Sequence, residues 1–152
     1  MEVNKNKQVI NGQCLCGAVQ VSAVAADDEM TVCHCETCRK QTSGMLFAFG
    51  ADTDQLDISG PYRVYTSSDW AERGFCPNCG TFLFYRVTMD GPYSGVVKLS
   101  AGLFEQTPEL ALGTEFFVDN QPTQYALHGA KKSLTKAEVM ARFSNAESGE
   151  PK

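Results

Sequence analysis

The sequence predicts a mainly β fold with one short carboxy-terminal helix, and three observations predict it. Short segments of alternating or aromatic-rich character recur along the chain, each ended by glycine, proline or acidic turn signals. One capping box, Thr135-x-x-Glu138, opens a helical stripe near the carboxyl end. The seven cysteines fall in three tight blocks, a pattern that lets metal ions brace a small β domain.

In chain order, residues 1–11 read as a polar lead-in that orders only towards its end. Residues 13–24 are strand-like, with period-two alternation from Ala18 to Ala23. Gly17, directly after Cys16, suits the tight bend of a metal knuckle. The acidic stretch 26–29 reads as a solvated turn. Residues 31–35 lead into the central cysteine block, and 36–44 form a short helical turn after it. Residues 45–50 read as a buried strand and 56–59 as another. Gly60-Pro61 turns the chain into a strand over 62–65. Phe75 and the run 81–87 flank Cys76 to Cys79, the pattern of a knuckle at a hairpin tip. Asp90-Gly91-Pro92 is a turn, 95–99 a strand and 114–118 the last strand. Leu134, Ala137, Met140 and Phe143 then recur at helical spacing as a core-facing stripe. Residues 144–152 read as a frayed polar tail.

A chain of 152 residues with a 43% hydrophobic fraction is long enough for one domain with its own core, so a single domain is expected over 1–152, with ends at 1–11 and 144–152. The first residues lack the apolar core of a signal peptide, and no apolar run reaches the roughly 20 residues a membrane span needs. The expected location is therefore the reducing cytoplasm, where clustered cysteines favour metal over disulfides. A net charge of −5 and a pI near 5.0 argue against a nucleic-acid partner, because phosphate binding asks for a basic stripe.

Cys33-His34-Cys35-Glu36-Thr37-Cys38 places three thiols within six residues, a spacing at which sulfurs converge on one soft ion, most often zinc. Cys14-Leu15-Cys16 lies upstream and Cys76-Pro77-Asn78-Cys79 downstream. Seven ligands split naturally as four plus three, giving two zinc ions per chain. Spacing alone does not fix the partition. A conventional ribbon would join Cys35 and Cys38 to Cys76 and Cys79, stranding the other three. The economical division joins Cys14 and Cys16 to Cys76 and Cys79, and keeps Cys33, Cys35 and Cys38 together. The three-cysteine group is then either open at its fourth position or closed by a distant ligand, with His128 the best candidate and Asp119 next. His34, between two ligands, reads either as a surface histidine or as a group supporting the site.

An open position on a three-thiolate ion has a predictable chemistry. Three thiolates donate more charge than three imidazoles, so such an ion is a poor generator of hydroxide but holds an incoming thiol well. That favours chemistry at sulfur over hydrolysis. Arg39, Lys40 and Arg73 lie beside the clusters in sequence, where each either offsets thiolate charge, binds a substrate carboxylate or is simply solvated.

The blocks Gly12-Gln13-Cys14-Leu15-Cys16-Gly17-Ala18-Val19, Cys33-His34-Cys35-x-x-Cys38-Arg39-Lys40 and Arg73-Gly74-Phe75-Cys76-Pro77-Asn78-Cys79-Gly80 resemble the glutathione-dependent formaldehyde-activating enzyme family, the group that includes centromere protein V. The resemblance covers residues 12–85 and extends more loosely over 115–125. It implies several coiled, mostly antiparallel sheets around two zinc sites. By the resemblance Cys14, Cys16, Cys76 and Cys79 correspond to structural zinc ligands. Cys33, Cys35 and Cys38 correspond to the catalytic zinc ligands. It implies a carbon–sulfur lyase that makes S-hydroxymethylglutathione from glutathione and formaldehyde, with a small thiol as partner; the sequence leaves the oligomeric state open, a homodimer among the possibilities. Near the carboxyl end the family has a tryptophan in a Lys-Pro-Asp-Trp-like run, where this chain has Gln124. A non-catalytic zinc-binding interaction module, with both ions structural, is the competing expectation.

Overall fold

The computed structural model describes residues 8–105 and 109–147, so the expected lead-in before residue 8 and the tail after 147 lie outside the described residues. The elements are β1 (Ile10–Gln13), β2 (Gln20–Ala23), β3 (Ala25–Cys33), α1 (Glu36–Thr42), β4 (Leu46–Ala51), β5 (Asp57–Ser59), β6 (Arg63–Ser68), β7 (Ala71–Phe75), β8 (Phe82–Val87), β9 (Val97–Ser100), β10 (Ala111–Phe116), β11 (Lys132–Leu134) and α2 (Lys136–Glu147). The mainly β architecture with a short carboxy-terminal helix is as expected, and α1 is the expected short helix after the central cysteine block.

The strands form two sheets. A three-stranded sheet has the order β1-β2-β5, and an eight-stranded one the order β11-β10-β3-β4-β9-β8-β7-β6. Pairing is antiparallel except around β10, which runs parallel to both β3 and β11. That exception matters for function, because it lays β10 beside the end of β3 with Glu115 opposite Val32 and Phe116 opposite Cys33.

Several local readings change. The last strand is β11 rather than 114–118, and in the expected core-facing stripe Leu134 lies on β11 and Ala137 is exposed, while Val139 of α2 is buried. Residues 13–24 are a hairpin, β1 and β2, interrupted by the Cys14–Val19 tip. The acidic stretch 26–29 belongs to β3, with Ala26, Asp27 and Asp28 exposed. Its partner there is β10 through Ala111 and Glu29, more than 80 residues away on the order of sequence distance. Local composition reports the solvated side chains and cannot see the paired backbone. Residues 71–74, unassigned from sequence, are the central part of β7 for the same reason.

The main core lies between the two sheets, where Val21 and Ala23 of β2 meet Phe49, Phe84 and Leu99 of the larger sheet. Burying such side chains contributes about 1.5–3 kcal/mol each. A smaller cluster, Cys38, Leu46, Ala48 and Phe82, sits apart from it. Alternation along β4 separates the two, since Leu46 and Ala48 face one side and Phe49 and Ala51 the other. On β8 the separation comes from a bulge: Phe75 pairs with Phe82 and Gly74 with Phe84, leaving Leu83 as the extra residue. Gly74 is required because any Cβ there would collide with the Phe84 ring.

Candidate metal centres

The Sγ atoms of Cys14, Cys16, Cys76 and Cys79 lie within 4.8 Å of one another. Both pairs sit at hairpin tips. Cys14 and Cys16 follow β1 at the turn into β2, and Cys76 and Cys79 occupy the turn from β7 to β8. The hairpins belong to different sheets, so this group staples one sheet to the other. Each tip is folded by the same device, a backbone N–H returning to the first cysteine's carbonyl: Gly17 to Cys14 at 3.0 Å and Gly80 to Cys76 at 2.8 Å. Both glycines have φ +78°, a conformation that side chains resist.

Amide and hydroxyl groups serve these sulfurs. The Val19 N–H donates to Cys14 Sγ at 3.2 Å, and the Asn78 side-chain amide to Cys16 Sγ at 3.2 Å. The Thr81 hydroxyl and backbone N–H hold the Cys79 thiol down to about 5. Sulfur separations of 3.6 Å (Cys14–Cys16) and 3.8 Å (Cys16–Cys76) match the edge of a tetrahedron of sulfurs about 2.3 Å from a central zinc. The donor set therefore fits a closed four-thiolate zinc site.

The second group is Cys33, Cys35 and Cys38, whose sulfurs also lie within 4.8 Å of one another. Cys33 ends β3, Cys35 is the N-cap of α1, and Cys38 lies in the helix's first turn. The Cys38 N–H donates to Cys35 Sγ at 3.3 Å, so a cysteine stands where serine or aspartate usually caps. Hydrogen bonding from Cys33, and then from Cys38, lowers the Cys35 thiol and raises Cys33 in exchange. Among the described residues this group holds three cysteines and no histidine or carboxylate. His128 and Asp119 are both exposed, and Asp119 instead accepts the Lys136 N–H at 2.7 Å. The donor set fits a zinc ion with three protein ligands.

The surroundings decide between the alternatives that the sequence leaves open for His34, Arg73 and Lys40. His34 is fully buried, not a surface group; its Nε2 meets Glu115 Oε1 at 2.6 Å. Its main chain is held as well, by N–H donation to the Phe116 carbonyl at 3.0 Å and by acceptance from Arg39 Nε at 3.1 Å. The ring stacks on Tyr125 at 6.1 Å. Arg73 is buried rather than solvated, with Nη1 and Nη2 each donating to Cys38 Sγ at 3.5 Å. Lys40 remains an exposed charge paired with Glu36 at 2.8 Å, a contact worth little in water. Glu115, Gln41 and Tyr125 were missed. Glu115 did carry a signal, being a carboxylate inside the apolar run 114–118, where only a buried partner makes it tolerable.

An open pocket of about 370 Å³ is lined by α1 residues Glu36, Arg39 and Lys40 with Ser43, Gly44 and Tyr125, and none of the three cysteines lines it. Helix α1 links the two, carrying Cys38 on its buried side and Arg39 and Lys40 towards the pocket. No helix of the described residues is long and apolar enough to cross a membrane.

Comparison with known proteins adds the lineage. A family model described as glutathione-dependent formaldehyde-activating enzyme matches residues 9–120. An uncharacterized lyase of Schizosaccharomyces pombe is 34% identical over 132 residues, covering 85% of this chain and 93% of that protein. A crystal structure of a Rhodobacter sphaeroides protein superposes with a TM-score of 0.53 at 20% identity, over 64% of this chain and 90% of the other, and so shares the fold.

Proposed function

The chain belongs to the glutathione-dependent formaldehyde-activating enzyme family, and from that membership and its three-sulfur group we propose that it is a zinc-dependent carbon–sulfur lyase acting on a small thiol adduct. The observation that carries the reading is the composition of the Cys33, Cys35 and Cys38 group, three thiols with no fourth protein ligand among the described residues. Zinc bound there would supply a position for the substrate's sulfur and stabilise it as thiolate, while three thiolate ligands make it a poor source of hydroxide. The relative named a lyase supports the same class of chemistry.

In this reading the Cys14, Cys16, Cys76 and Cys79 group is the structural zinc site. The likeness to the family favours glutathione as the thiol and formaldehyde as the carbonyl. The thiol sulfur adds to the carbonyl carbon, one C–S bond forms as the C=O π bond opens, and the thiol proton ends on the new hydroxyl. Elimination reverses each change. Arg39 and Lys40 at the pocket suit a carboxylate on the thiol, since Arg39 spends only its Nε on the His34 carbonyl. His34 and Glu115 fix the strand end that presents Cys33 and Cys35. The unit is a single domain, and seven free thiols suit a reducing cytoplasm.

The test is exchange of formaldehyde with its glutathione adduct, followed by NMR with zinc-loaded protein. The reading expects exchange well above the uncatalysed rate, abolished by Cys35→Ser. A folded, two-zinc protein that leaves exchange at the background rate for glutathione and for a panel of small thiols makes it a binding module with two structural ions instead.

A further inference from the structure

Besides the cysteines, three charged or titratable side chains are buried among the described residues: His34, Glu115 and Arg73. His34 and Glu115 answer each other. Arg73 has no carboxylate partner, for none of the ion pairs among the described residues includes it. A guanidinium stays protonated at any relevant pH, and an unpaired cation out of water is among the costliest groups a fold can hold. Some anion must answer it. Its two terminal nitrogens converge on Cys38 Sγ at 3.5 Å, and Cys38 is itself buried.

The rest of the guanidinium is held so that this aim is fixed. Nη1 also donates to Gln41 Oε1 at 3.1 Å, and Nε donates to Ser67 Oγ at 3.3 Å. Its Cζ lies 5.3 Å from the Tyr85 ring centroid and 5.9 Å from that of Phe82. Three thiolates on a divalent ion leave one negative charge, which one buried guanidinium balances. Among the described residues the four-sulfur group has amide and hydroxyl donors to its sulfurs and no cation, so the guanidinium sets the three-sulfur centre apart.

We propose that Arg73 is a positioning residue of the three-sulfur centre, supplying the countercharge that lets Cys33, Cys35 and Cys38 hold a divalent metal in a buried setting and fixing the orientation of the Cys38 sulfur. The inference deepens the lyase reading, since an incoming thiolate adds a second negative charge beside the same guanidinium. Its metal-binding part stands without that reading.

The experiment measures metal, not turnover. Wild type, Arg73→Leu and Arg73→Lys are titrated with zinc against a chromophoric chelator, and again with cobalt while the sulfur-to-cobalt charge-transfer band is recorded. Arg73→Leu is expected to weaken the three-sulfur site by about 10–100-fold and leave the four-sulfur site unchanged. Its band moves to lower energy, because sulfur freed of the two N–H donors is easier to oxidise. Arg73→Lys restores the charge and is expected to recover most of the affinity. Unchanged affinity and band in Arg73→Leu, or a lysine variant as weak as the leucine one, overturns the proposal. If Arg73→Leu does not fold, Arg73→Lys decides alone: a folded lysine chain that keeps its four-sulfur metal and loses the other contradicts the charge account. Wild type showing no thiol exchange while these metal results hold sinks the lyase reading and leaves this inference standing.

Discussion

The two cysteine groups use the same atom type and reach opposite solutions. The four-sulfur group is assembled from two hairpin tips on different sheets, with Cys16 and Cys76 separated by 60 positions. The three-sulfur group comes from one junction, the end of β3 and the start of α1, within residues 33–38. Closing a long loop removes more freedom from the unfolded chain than closing a short one, by about 2 kcal/mol here, so metal at the first group would stabilise the fold more. Metal at the second restrains little that β3 and α1 do not restrain already. A site that contributes little to folding is free to leave a corner for something else.

The largest expected effect is on the stapled side. Cys79→Ser removes one of the four converging sulfurs, and if they hold a structural zinc, such an ion in zinc-finger peptides is worth about 10–16 kcal/mol, as much as a whole domain's stability. The variant is expected to aggregate or to show no cooperative thermal transition by circular dichroism. Cys35→Ser is the counterpart: it should retain the fold, with a melting midpoint within about 5 °C of the parent, yet bind one zinc fewer and lose thiol exchange. Equal melting behaviour of the two variants would erase the distinction between the groups.

A smaller effect separates the second group's metal from its protein support. Glu115→Ala leaves the fully buried His34 without its carboxylate and should cost about 1–3 kcal/mol in chemical denaturation. The loss should be similar with and without zinc, because the contact joins β10 to the junction rather than to the ion. The smallest effect tests neither centre. Thr135 and Glu138 form the expected capping box on α2, with the Thr135 N–H donating to Glu138 Oε2 at 2.7 Å. Thr135→Ala should cost about 1 kcal/mol and leave metal content unchanged.

The grouping of the sulfurs was legible in the sequence because cysteine spacing constrains it locally: a Cys-x-Cys or Cys-x-x-Cys pair must share a neighbourhood whatever the fold. The sequence also pointed to α1, α2 and strands β4, β5, β8 and β9, whose patterns are local. The partners were harder. Glu115 reaches His34 across 81 positions, through parallel pairing that period-two patterns do not reveal. Arg73 showed only that it lay near Cys76, and its turn towards Cys38 depends on β7 standing between both centres. Residues 26–29 failed for a related reason, since exposed carboxylates look the same on an edge of paired backbone as on a loop.

Unequal metal centres are the claim on which the rest depends, and timed metal release tests it most directly. Zinc-loaded protein is mixed with excess chelator, with and without saturating glutathione, and release is followed per chain. The account predicts two phases of one ion each, the fast one slowed by the thiol and the slow one indifferent to it. Two ions leaving together, or a fast phase that glutathione does not touch, would contradict it.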